Sequence, residues 1–128
     1  QTDLPLEHAR RLLGAKKLIG ISTHSLEQAI AAQTAGADYI GFGPLFVTQT
    51  KNAGPIQGFE RLQNIRTVVS IPILAIGGIT TRNAFDAITV GADGVAVISA
   101  VWGASDRAAA IRDLLSIMNS SCKEGRSR

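Results

Sequence analysis

An α/β fold of four parallel strands alternating with helices, the C-terminal half of a TIM (β/α)8 barrel, is what three observations on this 128-residue chain predict. Gly36-Ala37-Asp38-Tyr39-Ile40-Gly41-Phe42 and Gly91-Ala92-Asp93-Gly94-Val95-Ala96-Val97 match at an offset of 55, which also lays Gly20-Ile21-Ser22 on Ala75-Ile76-Gly77. Four short segments, apolar on both faces, are separated by helical patterns, as in a parallel sheet covered by helices. Two of them run straight into small residues, Ala75-Ile76-Gly77-Gly78-Ile79-Thr80 and Val97-Ile98-Ser99-Ala100. A whole barrel takes roughly 250 residues, so four units make half of one, and Gln1-Thr2-Asp3 reads as the loop after a preceding strand. Residues 1–118 are assigned to this half-barrel, units 5–8 with a preceding helix, and 119–128 to a basic, disordered tail.

Pro5 to Leu13 reads as a short helix with proline near its first turn. Leu18 to Ser22 is the first strand. Ser25 opens a helix to about Ala35, with Gln28 at capping-box spacing, and Gly36 ends it. Tyr39 to Gly43 is the second strand, followed by a long polar loop, Pro44 to Gln57, and a helix from Phe59 to Val69. Ile71 to Ile76, Thr81 to Val90, Gly94 to Ser99 and Asp106 to Asn119 complete the strand and helix alternation.

Composition narrows the function classes. Hydrophobic residues make up 45% of the chain, enough to bury a core, and no run is long enough to cross a bilayer. With no signal peptide in view, the chain reads as cytoplasmic. Cys122 is the single cysteine, so no internal disulfide forms. The net charge is +3, and Lys123, Arg126 and Arg128 against Glu124 account for most of it. That leaves the folded part nearly neutral and argues against a nucleic-acid face.

Polar residues gather at the C-terminal ends of the strands, where barrel chemistry takes place. Ser22, Thr23 and His24 follow the first strand, Thr48-Gln49-Thr50-Lys51 the second, Gly77 and Gly78 the third, and Ser99 the fourth. Backbone N–H groups at two adjacent strand ends can cradle a phosphate. A bulky residue at Gly78 is expected to weaken that cradle and leave the fold intact. Asp3 is a candidate ligand for a metal bridging phosphates, although an Asp before a helix has capping as its ordinary use. Lys51 gains weight from its neighbouring threonines and its long loop. For His24, a strand-end structural role and acid–base chemistry stand equally open. Asp38 and Asp93, just before strands and at the far end of the barrel, read as structural acceptors of backbone hydrogen bonds.

From Gln1-Thr2-Asp3-Leu4-Pro5 through Gly20-Ile21-Ser22-Thr23-His24-Ser25, Gly43-Pro44-Leu45-Phe46-Val47-Thr48-Gln49-Thr50-Lys51 and Ala75-Ile76-Gly77-Gly78-Ile79 to Ser99-Ala100, the chain resembles the C-terminal half of thiamine phosphate synthase. The glycine cup is common to many phosphate-binding barrels. The Thr48-Gln49-Thr50-Lys51 loop is the specific part.

The resemblance implies a transferase of thiamine biosynthesis. It joins an aminopyrimidine methyl diphosphate to a thiazole or carboxythiazole phosphate, releasing diphosphate and using Mg2+. It makes Asp3 a Mg2+ ligand, and Ser22 and Lys51 the catalytic contacts to the diphosphate. Thr48, Gln49 and Thr50 would hold the thiazole phosphate, whose phosphate would rest on Gly78, Ile98 and Ser99. The family's basic segment and its Asn-Asp pair precede Gln1, so the chain alone is expected to be inactive, and to self-associate or require an N-terminal half. A thiazole tautomerase using His24, or a half-barrel that binds phosphate without turnover, are the alternatives.

Overall fold

The computed structural model describes residues 4–47 and 54–123. Its chain order is α1 (Leu6–Leu13), β1 (Gly20–Thr23), α2 (Leu26–Thr34), β2 (Tyr39–Phe42), α3 (Gly58–Val68), β3 (Ile73–Ile76), α4 (Ala84–Val90), β4 (Gly94–Ala96), α5 (Ser99–Trp102) and α6 (Arg107–Lys123). The four strands form one parallel sheet in the order β1-β2-β3-β4, as the alternation of short strands and helices predicts. The helix α6 runs on to Lys123, into the segment read from sequence as a tail, while 124–128 fall outside the described residues.

Strand register fixes which side chains share a face. Gly20 stands opposite Tyr39, and Leu74 opposite Gly94. The repeat therefore lays Gly20 on Leu74, one residue from the sequence alignment on Ala75. The connection from β3 to β4 is one residue longer than that from β1 to β2, so the offset of 55 holds only downstream of the helices. Thr23, Phe42 and Ala75 lie in one row, fully buried, with Ile40 and Ile73 behind them on the same side. Ser22, Gly41 and Leu74 form the alternate row and are exposed or half-buried. The sheet is closed on its helix side, with Ala29, Ala32, Leu62, Ile65, Ala84 and Ala87 packed there, while β3 also carries Leu74 and Ile76, both half-buried, on the other face.

Each half of the repeat is tied at its base by the same clamp. Asp38 Oδ2 accepts from the Ile19 N–H at 2.7 Å and from Arg10 Nη2 at 2.8 Å, and Arg10 also donates to the Lys17 and Gly36 carbonyls. Asp93 Oδ2 accepts from the Ile73 N–H and from Arg66 Nη1, both at 2.8 Å, and Arg66 also donates to the Ile71 carbonyl at 3.1 Å. The guanidinium holds the Asp38 carboxyl below its ordinary range, with the Ile19 N–H adding to it, and burial pulls Arg66 below the usual guanidinium value. Both aspartates take backbone hydrogen bonds as expected from sequence. The arginines that complete the clamps come from the ends of α1 and α3.

Candidate functional site

The C-terminal ends of β1, β3 and β4 converge on a cavity of about 260 Å³ lined by His24, Pro44, Gly77, Gly78, Ile98 and Ser99, with Ile76 and Val97 as its apolar floor. Its two glycines adopt left-handed conformations, φ +87° at Gly77 and +69° at Gly78. They also let the 44–47 segment lie close. A Cβ at Gly77 would stand 2.5 Å from Pro44 Cα, and one at Gly78 2.4 Å from the Val47 carbonyl oxygen. The glycine pair therefore has a packing reason of its own. A bulky residue at Gly78 would not leave the fold intact, contrary to the sequence expectation, because both φ and space exclude it.

The turn after β3 is held by a residue that sequence reasoning missed. Asn83 Oδ1 accepts from the Thr80 N–H at 2.8 Å, and its Nδ2 donates to the Gly78 carbonyl at 3.0 Å. The available signal was an Asn three residues after Thr80 at a helix start, where such side chains close on the backbone. With the Gly78 carbonyl turned toward Asn83, and the Leu45 and Phe46 N–H groups taken by the Ile76 and Gly77 carbonyls, the turn is fixed on both sides. Among the described residues, no carbonyl takes the N–H groups of Gly78, Ile98 or Ser99.

His24 sits at the opposite wall. Its backbone N–H donates to Gln28 Oε1 at 2.8 Å, while Ser25 Oγ accepts from the Gln28 N–H at 3.1 Å. The capping pair read from sequence is thus present, with the return bond made one residue earlier than a standard box. His24 Nδ1 lies 2.8 Å from the Gly43 carbonyl oxygen. A carbonyl only accepts, so Nδ1 carries the hydrogen and a neutral ring keeps its lone pair on Nε2.

Of the sequence candidates, Gly78, Ile98 and Ser99 meet at this cavity, together with His24. Ser22 lies on the exposed face of β1, in the row with Gly41. Thr23 turns away: it is fully buried on the helix side and donates to the Gly41 carbonyl at 2.9 Å. Asp3, Thr48, Gln49, Thr50 and Lys51 lie outside the described residues. Among the described residues, no group of three or more His, Cys, Asp or Glu side chains could hold a metal ion, and no helix is long and apolar enough to cross a membrane.

A family model described as thiamine monophosphate synthase matches residues 1–101. A thiamine-phosphate synthase of Methanocella arvoryzae is 47% identical over 127 residues, covering 98% of this chain and 60% of the relative. One of Chloroflexus aurantiacus is 51% identical over 121 residues, covering 93% and 55%. The solved structure of thiamine phosphate pyrophosphorylase from Pyrococcus furiosus superposes with a TM-score of 0.85 at 41% identity, over 94% of this chain and 57% of that one. The chain spans somewhat over half the length of the curated relatives it matches.

Proposed function

We propose a function from one premise: the chain belongs to the thiamine monophosphate synthase family. The whole protein couples an aminopyrimidine methyl diphosphate with a thiazole phosphate, giving thiamine phosphate and diphosphate. This chain supplies the thiazole phosphate side of that site. The observation that carries the reading is the cavity joining Gly78, Ile98 and Ser99, whose N–H groups suit a phosphate and whose floor of Ile76 and Val97 suits a flat, weakly polar ring.

In this reading the C–O bond between the pyrimidine methylene and the diphosphate breaks first. The departing diphosphate keeps the electron pair, and the electron-rich aminopyrimidine carries the positive charge left behind. The thiazole nitrogen, held by its distant phosphate, then forms the new C–N bond. Ser22 on β1 and Lys51 hold the diphosphate, with Lys51 offsetting charge that grows as the bond breaks. Thr48, Gln49 and Thr50 hold the thiazole phosphate. The family's ion is Mg2+, with Asp3 its proposed ligand; among the described residues no group of three or more His, Cys, Asp or Glu side chains could hold it. The exposed face of the sheet would be closed by an N-terminal half or by a second copy of the chain.

His24 at the cavity wall favours a second reading, thiazole tautomerase, in which it moves a proton on the ring. Two variants of the whole protein separate the readings. For the synthase, Lys51→Ala lowers kcat for coupling by about a hundredfold or more, and His24→Ala has the smaller effect. For a tautomerase the order reverses, and loss of His24 costs roughly two to four powers of ten. Full coupling activity in Lys51→Ala would contradict the role given to the loop.

A further inference from the structure

We infer that His24 shares a proton with the bound phosphate through Nε2, and that this contact makes the cavity select phosphate over a tetrahedral anion that holds no proton, such as sulfate. The inference rests on the reading of the cavity as a phosphate site and adds what that site discriminates.

The ring is fixed from one side. Nδ1 lies 2.8 Å from the Gly43 carbonyl oxygen, at the end of β2, and donates to it. With Nδ1 committed, a neutral His24 presents only its Nε2 lone pair, and among the described residues nothing takes it. The rest of the lining offers the reverse chemistry, donor N–H groups at Gly78, Ile98 and Ser99. Among the described residues, His24 is the only titratable side chain of the lining. Of the charged groups on the elements around it, Glu27 of α2 lines a separate cavity beside α3, and Arg82 and Asp86, before and within α4, are exposed.

Several donors and one basic acceptor together complement an anion that brings both acceptor oxygens and a proton. Phosphate does so while it keeps a P–OH: inorganic hydrogen phosphate holds one in mildly alkaline buffer, and an ester holds one below its second ionisation near pH 6; that O–H can donate to the bare Nε2. Sulfate brings no O–H, and against a neutral ring its oxygens set lone pair against lone pair. Ser99 and Gly78 would bind either anion; only Nε2 tells them apart.

Isothermal titration of the whole protein with inorganic phosphate and with inorganic sulfate, at matched ionic strength in mildly alkaline buffer, tests this. Phosphate is expected to bind about tenfold tighter or more, and His24→Phe, which keeps a ring without the acceptor, to bring the two within about twofold. Equal binding by the wild type, or an unchanged ratio in His24→Phe, would overturn the inference while leaving the phosphate site standing. Nitrogen-15 spectra of the wild-type imidazole provide a readout without a variant: Nδ1 protonated and Nε2 bare before phosphate is added supports it, and the opposite tautomer overturns it. If neither anion shifts the amide signals of Gly78, Ile98 and Ser99, the inference and the phosphate-site reading fall together.

Discussion

Asp93 receives two donors on one oxygen, from the start of β3 and from Arg66, with 13% of its side chain exposed against 33% for Asp38. Removing a partner from a part-buried ion pair strands the other charge. Asp93→Ala is therefore expected to cost about 3 kcal/mol of unfolding free energy in urea denaturation, and Asp38→Ala clearly less. The Asp38 pair also sets a pH dependence. Its carboxyl is held below the ordinary value by Arg10 and the Ile19 N–H, so the stability it contributes is fully present above the unfolded value of about 4 and is lost as pH falls through the lower folded value. The stability gap between wild type and Asp38→Asn should be open at neutral pH and close in acid; a gap that widens on acidification would contradict it. The two aspartates were legible in the sequence because they repeat in register. Arg10 and Arg66 were not, because they stand on helices whose spacing to the aspartates differs by one residue between the two copies.

At the scale of elements, the alternation of strands and helices could be read from apolar segments and glycine turns, and the ends could not. The strand of Ile71 to Ile76 begins at Ile73, because Pro72 has no N–H to give to a ladder. The helix expected from Thr81 begins at Ala84, because the Asn83 side chain folds back on Thr80 and Gly78 and holds the preceding residues as a turn. The four-residue α5 is too short to leave a period in the sequence, and it takes Ser99 out of the strand expected to reach it. That difference matters to the site, since Ser99 enters the cavity as a helix start. Asn83 also provides the cleaner variant for the glycine turn, because Gly78 has no room for a side chain. Asn83→Ala should lower stability by about 1 kcal/mol and weaken phosphate binding with the fold retained, as followed by thermal unfolding and titration. Unaltered phosphate affinity would show that the turn does not need its staple.

At the scale of the molecule, the helix side of the sheet is closed and the other side is half open. Leu74 and Ile76 are part-buried there, beside the small residues Gly41 and Ala96. Leu12 of α1 and Trp102 of α5 stand 78% and 64% exposed, with Arg107 stacked on the Trp102 ring at 4.6 Å. The repeat and the strand-end glycines carried the half-barrel in the sequence itself. What they could not carry was the site's far wall, since the tautomer of His24 depends on the carbonyl of Gly43, nineteen residues on and across a strand. The proposed site would hold a thiazole phosphate by the amides at the ends of β3 and β4. A crystal structure of the whole protein with that ligand tests it most directly. The phosphate oxygens are expected within about 3.2 Å of the Gly78 and Ser99 N–H groups, with the ring over Ile76. A phosphate bound elsewhere on the molecule, with the cavity between Gly78 and Ser99 left open, would contradict it.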